Sequence, residues 1–498
     1  MIRWERPEVG DLLAGISVAL VLVPQALAYA QLAGLPPEIG LLAGTLPAIA
    51  AAFFVSSPYL QTGPTALTAL LVLGALGSHL DDGTDAVQFA ALLALMVGAF
   101  RVAFGILRLG IAAYFVSRPV LVGFTTGAAL LIIGSQLPAV VGVTATSGSV
   151  FSRVWTVATS VTDWSWPSIA LSALALALMI AGAKIHRAFP AVLVAVGVTW
   201  ALAEIMGLEV ATIGEIPTSW PTLHVDLPWG SVGQLLVPAF VIALVGFAEP
   251  SSIARTYAVA DRRPWSADRE FVSQGVANLV AGAIGSMPVG GSFGRSALNR
   301  ASGAHTRWSG FVTGLTILLF LPVADLLSSV PKAVLAAVVI GAARSLLRFD
   351  QVRDMWRQSR WQLTTAVATI VATIALDPRV DRAILIGLAA SVLVHLAREM
   401  GVHVAAEYAD GHLRLAPKGV LWFASINRIQ ERMLAELANH PETERVTVDL
   451  SGIGRLDLTA AYELADMARD AADDGIGWRY VNAPPHAARL MRKVVHPD

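Results

Sequence analysis

Fourteen apolar segments punctuate residues 12–398, and two of them are too short to cross a bilayer. A helix needs about 20 apolar residues to span the hydrocarbon core. Twelve segments are full or near-full spans: 12–32, 39–55, 87–107, 119–138, 167–182, 189–206, 234–252, 271–287, 308–327, 332–345, 362–376 and 382–398. The short ones, 65–78 and 293–303, begin where the backbone is loosened, at Gly63-Pro64-Thr65 and within Gly290-Gly291-Ser292-Phe293-Gly294-Arg295. Each is the third element of its half, so the chain divides into seven plus seven, with repeats over 11–206 and 232–400. Because seven is odd, the second half enters the membrane from the opposite side and the repeats are inverted. Broken helices in matching positions of two halves bring helix N-termini, with their unpaired N–H groups and positive dipole ends, near the bilayer midplane. Such ends attract anions.

Composition agrees with a membrane protein and divides it. Hydrophobic residues make up 55% and charged ones 14%, too apolar for a soluble chain of this length. Residues 1–404 carry 24 Lys+Arg and 22 Asp+Glu, against 11 and 14 in the far shorter 405–498. A helical transmembrane domain over 1–404 and a small soluble domain over 405–498 are expected. The net charge of −1 gives no field for nucleic acid. With no cysteine there are no disulfides or thiolate sites, and the ten histidines show no ligand spacing. No nucleophile–base pair is apparent, so neither a metal, a cofactor nor an enzyme is expected.

Basic residues orient the spans. Nineteen, among them Arg3, Arg101, Arg118, Arg187, Arg255 and Arg348, fall in connections on the side of the N-terminus; four, Arg153, Lys332, Arg379 and Arg382, fall opposite. This places both termini in the cytoplasm. The absence of a long outer loop or targeting signal favours a bacterial inner membrane. Arg295 belongs to neither surface. A charge near the bilayer centre costs at least ~2.5 kcal/mol, so Arg295 needs a partner or an anionic ligand. Gln25 and Tyr29 lie four apart on one face of the first span and both can offer a hydrogen bond. Glu249, in Gly246-Phe247-Ala248-Glu249-Pro250, is the sole acid of an apolar run. It can carry a proton, help hold a cation, or pair with Arg295. Glu38, after Pro36-Pro37, is a second candidate for ion coupling.

The last hundred residues alternate strands and helices. Apolar stretches at 412–415 and 420–423 precede a helix over 426–439, a strand over 445–450, a helix over 458–473, a strand over 478–481 and a terminal helix. This is a small α/β domain.

Several stretches resemble the sulfate permease (SulP) family. Asp11 through Pro24-Gln25, Tyr29, Gly34 and Pro37 is similar to the family's opening signature. Ser117-Arg118-Pro119 to Gln136-Leu137, and Gln274-Gly275 through Asn278 and Pro288 to Arg295-Ser296 and Asn299, resemble two further blocks. The tail is similar to a STAS domain, centred on Asp449-Leu450-Ser451-Gly452 and Asp457. The resemblance implies a core domain that carries substrate past a gate domain by an elevator-like movement, usually in a homodimer. It also implies that backbone amides of Thr65, Ala66 and Leu67, with those of Ser292, Phe293 and Gly294, cradle an anion beside Arg295. Gln25 and Tyr29 match pocket-lining positions. STAS domains that act as phosphorylation switches have Ser after the loop Asp; Asp457-Leu458-Thr459 departs from that, so Asp457 and Thr459 are read as helix caps.

The expected function is secondary active transport of a small anion, by symport with protons. Phe293 and the apolar third element favour a carboxylate or dicarboxylate, while inorganic oxyanions fit as well. Sodium-coupled bicarbonate or sulfate symport, anion exchange and a passive anion channel stay open. A nucleobase permease, which shares the inverted-repeat architecture, would bind through acids and lack the tail. Partners are the anion, a proton or sodium, membrane lipid and a second copy of the chain.

Overall fold

A computed structural model of the chain describes residues 6–77, 85–111, 116–144, 149–185, 189–217, 220–224, 226–399 and 401–495. Arg3 and Arg187 of the charge tally, and residue 78 at the end of the first short segment, lie outside them. The chain forms two compact units, 1–389 and 390–498.

The first unit is helical. Its first half runs α1 (Val9–Leu32), α2 (Pro37–Ala43), α3 (Leu46–Phe54), β1 (Thr62–Gly63), α4 (Ala66–Gly77), α5 (Ala86–Ile106), α6 (Arg118–Val141), α7 (Val150–Thr159), α8 (Trp166–Ile185) and α9 (Ala191–Ile205). The second runs α10 (Val232–Ala260), α11 (Ala267–Ala283), β2 (Gly290–Gly291), α12 (Phe293–Ala301), α13 (Trp308–Phe320), α14 (Lys332–Ala343), α15 (Phe349–Gln358), α16 (Arg360–Ala375) and α17 (Val380–Glu399). Eight of the described helical segments are long and apolar enough to cross a membrane by length and composition. Every apolar segment read from the sequence contains a helix, and the two short ones are α4 and α12. The segment at 39–55 is broken into α2 and α3, the break falling at Gly44-Thr45 ahead of Pro47. Two helices had no counterpart in the reading. The ten-residue α7 and α15 are amphipathic, with Phe151, Trp155 and Trp356 exposed and Met355 buried, so a search for long apolar runs passes over them.

Helices α5 and α11 share the most extensive contact among the described helices, and glycines let their backbones approach. A Cβ on Gly98 would lie 2.6 Å from the Leu279 amide nitrogen, one on Gly275 2.7 Å from that of Val102, and one on Gly282 2.5 Å from the Ala91 carbonyl oxygen. Small residues are what let helix backbones meet without water to drive them together. Gly98→Leu is therefore expected to destabilise the membrane unit by about 3 kcal/mol or more, because backbone rather than a movable side chain stands in the way. Loss of a monodisperse peak on size exclusion in mild detergent is the readout.

The lead-ins to the two short helices cross each other. Strands β1 and β2 pair antiparallel, Thr62 with Gly291 and Gly63 with Gly290. A Cβ on Gly291 would sit 2.6 Å from Leu60 Cδ1 and 3.2 Å from the Pro250 ring, so a larger residue there would have to displace the Leu60 side chain. Side chains of α11 and α12 hold the crossing in place. Gln274 Nε2 donates to Thr62 Oγ1 at 2.7 Å, Ser296 Oγ accepts from the Gln61 amide at 3.0 Å, and Asn299 Nδ2 donates to the Tyr59 carbonyl at 3.2 Å. Asn278 bonds both the amide and the carbonyl of Val289 at 3.0 Å. The block from Gln274 to Asn299 is thus mostly scaffold for two strands of two residues. Asp11 ties α1 to the start of α13, accepting the His305 and Thr306 amides and the Thr306 hydroxyl at 2.6–2.9 Å.

Arg101 corrects the charge tally. It is no connection residue: it lies inside α5, fully buried, and donates to the carbonyls of Val289 at 2.9 Å, Ile242 at 3.1 Å and Ala243 at 3.3 Å. Gly246 makes room, since a Cβ there would be 2.6 Å from Arg101 Nη2.

The second unit contains β3 (His403–Ala409), β4 (His412–Leu421), α18 (Asn427–Asn439), β5 (Arg445–Asp449), β6 (Ile453–Leu456), α19 (Leu458–Asp473), β7 (Gly477–Val481) and α20 (Pro485–Val495). The sheet order is β3-β4-β5-β7, with β6 also paired to β4; only β3–β4 is antiparallel. The two apolar stretches at 412–415 and 420–423 belong largely to one strand, whose inward residues Leu413, Leu415 and Leu421 are buried with Val446 and Val448. Asp457 caps α19 by accepting the Ala460 amide at 2.7 Å. Asp449 is held well below the usual carboxylate range by the Arg414 guanidinium, the Ser451 amide and the Asn482 side chain.

Candidate anion site

A cavity of about 280 Å3 opens where the two short helices begin. Gln25 and Tyr29 of α1, Thr65, Ala66 and Leu67 at the start of α4, Glu249 of α10, and Ser292, Gly294 and Arg295 at the start of α12 all face it. These nine were singled out in the sequence and the fold brings them together. Two others are elsewhere. Glu38 opens α2 and does not line the cavity. Phe293 turns its ring into a neighbouring cavity of about 730 Å3, where the Arg348 guanidinium carbon lies 5.7 Å from the ring centroid. It therefore adds nothing to the wall of this cavity, whose apolar lining comes instead from Leu67 of the third element and from Val21, Val192 and Leu298. The opposite wall, Phe189 and Val192 at α9 with Gly341 and Ser345 around the end of α14, carried no sequence signal. Such positions are apolar or small like their neighbours, and only packing singles them out.

Arg295 is the unusual group. Its side chain is 1% exposed, yet Nε, Nη1 and Nη2 have no hydrogen-bond partner among the described residues. Pairing with Glu249 is not what the geometry gives. Glu249 instead accepts the Phe293 amide at 3.1 Å, while remaining near enough to Arg295 for each to feel the other's charge. Gln25 Oε1 is also buried without a partner.

The backbone donors are fewer than the resemblance implied. The Thr65 amide is taken by Thr68 Oγ1 at 3.2 Å, in a reciprocal pair in which Thr65 Oγ1 accepts the Thr68 amide. The Ser292 amide donates to the Gln61 carbonyl at 3.2 Å, and that of Phe293 goes to Glu249. The amides of Ala66 and Leu67 in α4 and of Gly294 in α12 precede any intrahelical acceptor, and these three residues line the cavity at two helix starts. Two positive dipole ends and one buried guanidinium give the cavity a positive potential, which attracts anions.

Residues 9–369 match the sulfate permease family, and 402–494 match a STAS domain of the Mlab type. The chain belongs to the sulfate permease family. A probable sulfate transporter of Mycobacterium tuberculosis is 35% identical over 407 residues, covering 80% of this chain and 72% of its own. The chloroplastic sulfate transporter 4.1 of Arabidopsis thaliana is 30% identical over 513 residues, covering 94% and 74%. The inward-facing structure of the murine solute carrier 26 family member A9 superposes with a TM-score of 0.87 at 19% identity, covering 98% of this chain and 88% of that one. The transmembrane domain of a cyanobacterial bicarbonate transporter gives 0.67 at 23% identity, over 77% and 97%. This sulfate permease family member is a multi-pass membrane protein with a C-terminal STAS domain, and an anion transporter rather than an enzyme.

Proposed function

We propose that this chain is a secondary active carrier in which one small oxyanion is bound by Arg295 and by the amides of Ala66, Leu67 and Gly294. The observation that carries the reading is the buried Arg295 guanidinium with no hydrogen-bond partner. A bound anion offsets a charge that is otherwise expensive at that depth. A tetrahedral oxyanion such as sulfate offers enough acceptors for a guanidinium and three amides together. The names of the relatives point the same way, and Phe293 no longer argues for a carboxylate. The cavity lies between α1, α4, α10 and α12 on one side and α9 and α14 on the other. Movement of the first group past the second, in an elevator-like step, would carry the anion with its binding groups. We place the protein in a bacterial inner membrane with cytoplasmic termini, as a homodimer.

Coupling to protons is assigned to Glu249. Its carboxylate lines both the anion cavity and the larger cavity beside it, and it holds the first amide of α12. Protonation there would change the charge beside the anion and the grip on the helix that presents Arg295. Glu249→Gln keeps an acceptor for the Phe293 amide and cannot take up a proton. In liposomes it should exchange labelled anion for unlabelled while losing the accumulation that an inward proton gradient drives. Accumulation as strong as in the parent protein would remove Glu249 from the coupling. The broader test is uptake of labelled sulfate, bicarbonate and dicarboxylates under a proton gradient, a sodium gradient or neither. Conductance without coupled uptake would favour a channel.

A further inference from the structure

Helix α16 carries an apolar groove of about 590 Å3, lined by Leu363, Thr364, Val367, Ala368, Val371 and Ala372. The groove lies on the outside of the membrane unit, where Val367 and Val371 are 43% and 58% exposed. Arg360, Thr364, Val367 and Val371 follow one another at helical spacing, so the first residue of α16 stands at the head of the groove. We propose that this corner binds one anionic phospholipid. An acyl chain lies along α16 and the phosphate meets Arg360, with Arg357 and Arg353 of α15 adding positive charge.

Three observations support a lipid. First, the groove offers nothing to a polar ligand. The hydroxyl of its one polar lining residue, Thr364, already donates to the Arg360 carbonyl at 2.9 Å. Second, α15 is graded as a helix lying in a bilayer surface is graded. Met355 is buried and Val352 half-buried against Val122 and Ala366. Next round the helix come the exposed Trp356 and Phe349, then Arg353 and Arg357, and last Asp350, Asp354 and Gln358. Aromatic rings at the boundary, arginines just above them with their stems on apolar surface, and acids farthest away mark an interfacial helix. Trp361, exposed beside Arg360, extends the aromatic edge onto α16. Third, Ser359 alone separates α15 from α16, so both helices bring exposed arginines to the same corner. Among the described residues no ion pair joins Asp350 or Asp354 to Arg353, Arg357 or Arg360. The planar fork of a guanidinium matches phosphate oxygens.

The corner is separate from the anion cavity but follows its wall closely in the chain. Leu346 lines that cavity, and α15 begins three residues later. A lipid held here would tie this wall to the bilayer surface.

The test uses the full-length protein in detergent, with phosphatidylglycerol and phosphatidylcholine added in equal amounts and bound lipid counted by native mass spectrometry. Phosphatidylglycerol should be retained in preference. Arg357→Gln combined with Arg360→Gln should lower that retention at least tenfold, as the loss of two charges beside a phosphate predicts. Val367→Trp, which fills the groove from an exposed position, should lower it as well. Equal retention of the two lipids, or retention that neither variant changes, overturns the proposal. The competing occupant is a second copy of the chain. Because the sequence has no cysteine, Val371→Cys supplies a single thiol in the groove. On oxidation in liposomes this variant should stay monomeric; a disulfide-linked dimer would give the groove to the second copy and overturn the lipid.

Discussion

Arg295→Ala should abolish anion uptake while leaving the protein at least as stable as before. The three guanidinium nitrogens have no hydrogen-bond partner among the described residues, so truncation removes none of the described hydrogen bonds. It does remove a buried charge that no described hydrogen bond satisfies, which is a cost of several kcal/mol in the anion-free protein. The side chain already borders an open cavity, so little new void is made. Hydrogen bonds to a charged group contribute about 1.5–3 kcal/mol each, and losing two of them lowers anion affinity roughly 100-fold or more. Two measurements on one variant check this: liposome uptake, and melting temperature with and without anion. Stabilisation by added anion should vanish together with uptake. A large drop in anion-free stability would show that Arg295 is structural and would remove the main support for the proposed site.

Arg101→Ala should do the reverse and destabilise the membrane unit itself. The two arginines are comparably buried, at 0% and 1% exposed, but Arg101 is satisfied by three carbonyls. Truncating a long, fully buried side chain leaves a cavity, and the charge-assisted bonds are lost as well. A cost of about 3–5 kcal/mol is expected. The Val289 carbonyl is one of the three acceptors, and Val289 immediately precedes the strand that leads into α12. Uptake should therefore fall too, but together with the melting temperature and without the selective loss of anion-induced stabilisation predicted for Arg295→Ala. Hydrogen exchange of the 287–292 amides would report the loosened crossing directly. Unchanged exchange there would show that Asn278 alone suffices to hold Val289.

In a membrane, sequence and structure divide the information along physical lines. Span length, the two short segments and the shift to a charged tail were legible because the bilayer fixes how many apolar residues an element needs. The polar lining of the cavity was legible because groups such as Arg295, Gln25 and Glu249 stand out against apolar runs. What pairs with what was not legible. Arg101, counted in a connection from the sequence, and Arg295 are both buried; one is saturated by backbone and the other has no hydrogen-bond partner among the described residues, and only the path of α10 and β2 decides which. The same holds for the amides of Thr65, Ser292 and Phe293, which local folding diverts to Thr68, Gln61 and Glu249. Phe293 is adjacent to the site in sequence and outside its cavity in space, because the first turn of α12 points it toward Arg348. Hydrophobic run length is a property of one segment and can be read from it. Hydrogen-bond satisfaction belongs to pairs of segments far apart in the chain, so the tertiary structure alone determines which polar groups are left for a ligand.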